Sequence, residues 1–344
     1  MFSASRRLLL CGGATAISAG LPRWARAIGS NTGQNRGDHA DVLQFLGVNI
    51  AGAEFDPTGD NWHWPSLSNL TYYLNKGCSA FRIPFRWERL QPELRGSLCE
   101  ATLQGLDTLV SAINANGSIA ILDAHNFGRR DGVVIGGDGS PIAAADFADF
   151  WQRMGQRYKA RPLVWYNLMN EPNRMPAEVN LRVQNAACQA LRSSGASSKV
   201  LFSGIAFSGC HSWINSGNGK VMLGVSDPAD NYAFDVHQYL DQGFSGTSSK
   251  VVPGAGSRTL GPITEWARVH GQKLFLGEFG ARRSNGFLVE LNALLAYMSA
   301  HRDVFIGGTY YAGGGSWRNN TMSTDPVAGV EMPQMLVLEK YLGK

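Results

Sequence analysis

No stretch of this chain is long and apolar enough to read as a membrane span; the apolar, small-residue segment running to Leu21 is too short and is broken by glycine. Charge is scarce as well, at 17% of residues, and the net value of +4 is spread over 344 positions. Without a dense basic cluster or an aromatic-interleaved basic stripe, the sequence argues against a nucleic-acid partner. Its five cysteines include no C-x-x-C pair, so a structural zinc site lacks ligands at the usual spacing. There is no internal repeat of solenoid period and no low-complexity linker between two halves. No G-x-S-x-G elbow follows a strand, which removes the nucleophile of Ser-His-Asp chemistry. What remains is a long chain, 44% hydrophobic, able to bury one sizeable core.

Two apolar runs carry the strongest signal. The first, over residues 163–171, ends Leu168-Met169-Asn170-Glu171-Pro172, and the second reads Lys273-Leu274-Phe275-Leu276-Gly277-Glu278-Phe279-Gly280. Each reads as a buried strand delivering a glutamate at its carboxyl end. A retaining glycosidase needs such a pair, because one carboxyl group protonates the leaving oxygen while the other attacks the sugar carbon from the opposite face. A strand-terminal acid can equally cap a helix or solvate a loop, so the pair has meaning only if the fold brings it together.

Six more β-rich runs, at residues 45–49, 80–85, 119–125, 200–204, 232–239 and 304–312, bring the expected strands to eight. Helical spacing of apolar residues lies between most of them, as in Leu103, Leu106, Leu109, Val110 and Ile113, or Phe147, Phe150, Trp151, Met154 and Tyr158. The segment between the fifth and sixth strands is rich in Ser, Gly, Asn and Asp and reads largely as loop. Eight alternating βα units predict an α/β fold, a single (β/α)8 TIM barrel whose active site lies at the carboxyl ends of the strands. On that fold Arg82, His125, Glu171, His237, Tyr239 and Glu278 are expected to converge.

The amino terminus has a separate logic. Ser5-Arg6-Arg7, then Leu8-Leu9-Leu10, an apolar stretch and Ala25-Arg26-Ala27 read as a twin-arginine export signal over residues 1–27, leaving a mature chain of residues 28–344. An exported protein would be periplasmic or extracellular and have no membrane segment once mature. Cys11 would leave with the signal. Cys78, Cys99, Cys188 and Cys210 could then form two disulfides, in three possible connectivities, or stay as buried thiols.

The residues at these strand ends resemble glycoside hydrolase family 5, closest to its fungal and bacterial endo-β-1,4-glucanases. The resemblance rests on Gly47-Val48-Asn49 with Gly52-Ala53-Glu54-Phe55; Phe81-Arg82-Ile83-Pro84-Phe85 with Glu88-Arg89-Leu90; Asp123-Ala124-His125-Asn126-Phe127-Gly128-Arg129; Asn170-Glu171; His237-Gln238-Tyr239-Leu240-Asp241; and Gly277-Glu278-Phe279. It covers nearly every strand end in order. It implies a catalytic barrel over residues 28–344 that hydrolyses cellulose-type or mixed-linkage β-glucan with retention, without metal or cofactor, as a monomer. Other β-glycanases of the family, a mannanase or a decorated-glucan hydrolase, and a non-catalytic carbohydrate-binding protein are the alternatives. Both glutamates are present, which argues against the last.

By the same resemblance Glu171 would be the acid/base and Glu278 the nucleophile, their carboxyl groups about 5 Å apart. Arg82 would hold Glu278 ionised and Tyr239 would donate to it. Asn170 would bond the sugar 2-hydroxyl, His125 another hydroxyl, and His237 would pack near Glu171. Asn126, Trp62 and Trp87 would line the cleft, with Phe207 and Trp213 as further aromatic candidates. At the last strand the chain departs from the family pattern: Tyr311 and Ser316 stand where tryptophans are expected, while Trp317 is kept. Tyr311 and Trp317 would then be sugar-stacking residues, the phenol offering less area than an indole.

Overall fold

The computed structural model describes residues 42–55, 62–317 and 320–343. The expected export signal at residues 1–27 lies outside the described residues. Eight parallel strands close into a barrel: β1 (Phe45–Ile50), β2 (Ala80–Phe85), β3 (Ile119–Ala124), β4 (Val164–Asn167), β5 (Val200–Ser203), β6 (Tyr232–Tyr239), β7 (Leu274–Gly280) and β8 (Phe305–Gly313). Each pairs with its sequence neighbours, and β8 closes on β1 with Val48 opposite Tyr310.

The helices follow the expected alternation: α1 (Leu67–Asn75), α2 (Glu100–Ala115), α3 (Ala144–Tyr158), α4 (Ala177–Ser193), α5 (Gly261–Val269), α6 (Asn285–Ala300) and α7 (Pro333–Leu338). Local chemistry sets their starts. Ser66 accepts from the Asn69 amide at the head of α1, and the Asp146 carboxylate takes the Ala143 amide at the head of α3. Between β5 and β6 the chain makes short 3-10 turns and one four-residue helix, Asn218–Val221, in keeping with the loop-like composition there.

The two-residue period of a strand explains how one barrel holds both a core and a site. Alternate residues such as Leu46, Val48, Phe81, Ile83, Leu122, Phe234 and Val236 join the apolar layer beneath the helices. The intervening set points inward, and at the bottom of the barrel Ala80, Ile119, Ile121, Trp165, Leu201, Ala233 and Phe275 form a separate apolar plug. One stride further along the same strands come Arg82, Asp123, Asn167, Ser203 and Asp235, all fully buried. The interior therefore changes from apolar to polar within one side-chain layer, and the polar layer faces the carboxyl ends.

Cys78, Cys188 and Cys210 are buried free thiols and Cys99 is a free thiol nearer the surface, so of the two options left open by the sequence the structure adopts the unpaired one. Among the described residues, no helix is long and apolar enough to cross a membrane.

Candidate active site

Arg82 organises the polar layer. Its Nη1 donates to Glu278 Oε1 at 2.7 Å and to Asn49 Oδ1 at 2.9 Å, its Nε to Asn167 Oδ1 at 2.8 Å, and its Nη2 to Asn170 Oδ1 at 2.7 Å. Asp123 Oδ1 lies 3.1 Å from Nη2 and Asp235 Oδ2 3.8 Å. A guanidinium can only donate, so it fixes the amide of Asn170 with its oxygen inward. The Asn170 Nδ2 then faces His125 Nε2 at 3.2 Å, which must accept, leaving the imidazole hydrogen on Nδ1 to bond Asp123 Oδ2 at 2.9 Å. Burial holds His125 neutral, its pKa pushed down to about 3. Burial likewise lifts Asp123 to about 8, against the pull of Arg82. Both nitrogens of His125 are engaged within the protein, so in this arrangement it orients Asn170 and has no spare donor for a sugar.

The two glutamates approach from opposite sides of this layer. Glu278, on β7, also accepts the Tyr239 hydroxyl on Oε2 at 2.9 Å. Glu171 lies beyond the end of β4, where the chain turns through a left-handed φ of 43°, and it accepts from His237 Nδ1 at 2.8 Å. His237 Nε2 faces Asp235 Oδ2 at 3.2 Å, which in turn takes the Ser203 hydroxyl at 3.0 Å. Oxygens of Glu171 and Glu278 lie within 4.8 Å of each other. Glu171 leaves 16% of its side-chain surface exposed and Glu278 5%, so the former opens on the cleft and the latter forms its floor.

Their environments push the two carboxyls apart. Burial raises Glu171, and the charge of Glu278 adds to that. Burial acts on Glu278 in the same sense, but the charges of His237 and Arg82 outweigh it and hold this carboxyl below its ordinary value. His237 is desolvated, yet Glu278, Asp235 and Glu171 lift it to about 10, so it is an imidazolium with a proton on each nitrogen. Glu171, His237 and Glu278 each bring one potential ligand atom within 4.8 Å of the others.

Tyr311, at the end of β8, donates to Glu54 Oε1 at 2.7 Å; its ring lies between His125, centroids 6.4 Å apart, and Trp317, edge-on at 5.1 Å. Beside Glu171 a cleft of about 350 Å³ is lined by Phe207, His211, His237, Tyr239 and Phe244. Phe207 is 52% exposed there, held in the left-handed region at φ 58°. On the side of Gly52 and Ser316 an open groove of about 770 Å³ is lined by Phe55, His63, Trp64 and Asn69. Trp62 lies half-buried in the same loop, its indole donating to Ala53 O at 2.7 Å.

Besides His125, three expectations need correction. Trp87 is fully buried in a helical turn after β2, its indole bonded to Gln91 and covered by Phe147, Phe150 and Arg130. Asn126 is buried rather than open to the cleft: it is 1% exposed, its Oδ1 accepts the Trp87 amide and its Nδ2 donates to Glu88. Trp213 is packed against Phe234 and Trp266. Asn49, Asn167, Ser203 and Asp235 join the site without a motif of their own in the sequence. The signal for Asp235 was its place two residues before His237, the stride that joins Asp123 to His125.

Residues 47–313 match the family described as Cellulase (glycosyl hydrolase family 5). Endo-beta-1,4-glucanase B of Aspergillus niger is 31% identical over 318 residues, covering 90% of this chain and 94% of the relative. XacCel5A, solved in complex with cellopentaose, superimposes with a TM-score of 0.83 at 35% identity over 87% of this chain and 99% of that one. The Pseudomonas stutzeri endoglucanase Cel5A, solved in complex with cellobiose, gives a TM-score of 0.78 at 30% identity, covering 88% of this chain and 93% of the other.

Proposed function

This chain belongs to the cellulases of glycosyl hydrolase family 5, and on that premise we propose that Glu171 and Glu278 cleave the β-1,4-glucan backbone by double displacement, making the protein a retaining endo-β-1,4-glucanase. The observation that carries the assignment of roles is the geometry of two carboxyls whose oxygens lie within 4.8 Å, Glu278 bonded to Arg82 and Tyr239 and Glu171 to His237. A separation this short suits a nucleophile and an acid on either side of one sugar carbon, and leaves no room for the water that inversion needs.

In the first step Glu171 gives its proton to the glycosidic oxygen as the bond to the anomeric carbon breaks, and a Glu278 oxygen bonds that carbon from the other face. The chain on the leaving side departs with the proton. The charge now left on Glu171 faces the His237 imidazolium at 2.8 Å, which stabilises it. In the second step Glu171 takes a proton from water, the water oxygen attacks the anomeric carbon, and Glu278 leaves as a carboxylate held by Arg82 and Tyr239. Two inversions give net retention. Asn170, oriented by Arg82 and His125, keeps a free amide hydrogen for the sugar 2-hydroxyl, a bond that strengthens toward the transition state.

The likeness to proteins solved with cellopentaose and cellobiose supports a cello-oligosaccharide in the cleft. Export belongs to the same reading, supported by the Arg6-Arg7 segment. Reducing-sugar release on carboxymethylcellulose, mixed-linkage glucan, glucomannan and xylan tests the substrate. Cleavage is expected on the first two, and absence of cleavage on every β-1,4-glucan overturns the proposal.

A further inference from the structure

Glu54 is a carboxyl that the cleavage chemistry leaves unused, although it lies in the barrel mouth and is 5% exposed. Its Oε2 accepts the Gly52 amide at 2.6 Å and its Oε1 meets the Tyr311 hydroxyl at 2.7 Å. The groups acting on it are that amide and its own from the same loop, the Tyr311 phenol from β8 and the charge of Glu278 from β7. Tyr311 in turn faces His125 from β3 and Trp317 beyond β8, and feels the charge of Glu278.

We propose that Glu54 is a positioning residue whose single proton decides whether the Tyr311 hydroxyl can donate to the bound sugar or can only accept from it. The proposal rests on the reading of this site as glucan-cleaving. With Glu54 ionised, both of its oxygens are acceptors, so the phenol hydrogen is committed to Oε1 and Tyr311 offers the sugar lone pairs alone. With Glu54 protonated, the Gly52 amide keeps Oε2 as an acceptor, so the acid hydrogen sits on Oε1 and donates to the phenol oxygen. The phenol hydrogen is then free to turn to another acceptor. Burial lifts Glu54 to about 7, the Gly52 and Tyr311 bonds opposing and Glu278 assisting, so both arrangements are populated near neutral pH.

The test follows KM and kcat for cellopentaose against pH in the wild type and in Glu54→Gln, Glu54→Ala and Tyr311→Phe. In the wild type KM rises roughly three- to tenfold through neutral pH, the weight of one hydrogen bond, with no matching step in kcat. Gln at position 54 turns its oxygen to the Gly52 amide and its nitrogen to the phenol, reproducing the protonated arrangement, so KM stays flat at its acid-side value. Glu54→Ala frees the phenol from its anchor and raises KM at every pH, and Tyr311→Phe, which loses the phenol's lone pairs as well, flattens KM at or above the alkaline-side value. Infrared difference spectra read the same proton without turnover: Asp123 and Glu171 also contribute protonated carboxyl bands, so Glu54 is read as the one component that titrates through neutral pH in the wild type and is lost in Glu54→Gln. A neutral-pH step in KM that persists in Glu54→Gln or Tyr311→Phe overturns the proposal, as do wild-type and Glu54→Gln infrared titrations that are identical. Failure of the wild type to cleave any β-1,4-glucan overturns the functional reading instead, and the infrared titration still judges Glu54.

Discussion

Removing the charge of Arg82 should move the acid limb of the activity profile upward and cost much of the stability. The guanidinium is fully buried and bonded to Glu278, with Asp123 and Asp235 within 3.8 Å. Two unit charges 4 Å apart interact by about 4 kcal/mol at an effective dielectric of about 20. At about 1.36 kcal/mol per pH unit, that sets a ceiling of about three units on the rise in the Glu278 pKa, reduced because the His237 imidazolium remains. The sign follows from the depressed value: Glu278 must be ionised to attack, so a higher pKa takes activity away from the acid side first. Leaving carboxylates buried without their partner costs about 3–5 kcal/mol, a large share of the roughly 5–15 kcal/mol that holds a domain together. Arg82→Met measures both effects, and Arg82→Lys separates charge from geometry, since an ammonium keeps the charge but cannot span Asn49, Asn167 and Asn170 together. The assays are urea unfolding and kcat/KM on a soluble cello-oligosaccharide across pH. We expect the Lys variant to keep the acid limb near its wild-type place while losing kcat, because Asn170 is no longer oriented. A folded Met variant whose acid limb has not moved would refute the reasoning.

The barrel was legible because its strands are apolar on both faces and alternate with helical spacing over eight units, a pattern with few other solutions. The glutamate pair was legible for the same reason, since position at a strand end is a property of the local sequence. What the sequence hid were residues whose value comes from a partner on another strand. Asn49 and Asn167 are ordinary amides until Arg82 is placed between them, and Ser203 is an ordinary strand serine until the Asp235 carboxylate lies 3.0 Å away. Trp87, Asn126 and Trp213 misled in the opposite direction. Each follows a strand end, where a cleft-facing side chain is expected, but the loop direction after the strand decides the outcome. After β2 and β5 aromatic packing buries Trp87 and Trp213, and after β3 hydrogen bonds to the Trp87 amide and Glu88 hold Asn126. Tyr311 shows the middle case: its position on β8 was legible, while its bond to Glu54, 257 residues away in sequence, was not.

Glu278→Gln should abolish turnover while oligosaccharide binding survives, and Glu171→Ala should retain a measurable glycosylation step only with an activated aryl glycoside, with azide speeding breakdown of the intermediate; equal loss on good and poor leaving groups would remove the acid role. Proton NMR of the earliest product from a β-linked glucan should show the β-anomer first, and initial α-anomer would mean inversion. Gly277→Ala should impair the site through His237 without touching either glutamate. A Cβ at position 277 would lie 1.9 Å from Asp235 Oδ1. The main chain cannot retreat, because the Gly277 carbonyl is held by Asn49 Nδ2 at 2.9 Å and Thr309 Oγ1 at 2.7 Å. Asp235 must therefore swing away, loosening its bond to His237 Nε2, and overpacking of this kind costs about 1–3 kcal/mol. With one of its carboxylates displaced, His237 should titrate below its wild-type value of about 10, and Glu171 should lose its cationic partner at alkaline pH. Histidine ring NMR titration and kcat against pH measure the two consequences. A Gly277→Ala protein in which His237 stays protonated over the wild-type range, with wild-type turnover on the alkaline side, would show that Asp235 does not hold the charge of His237.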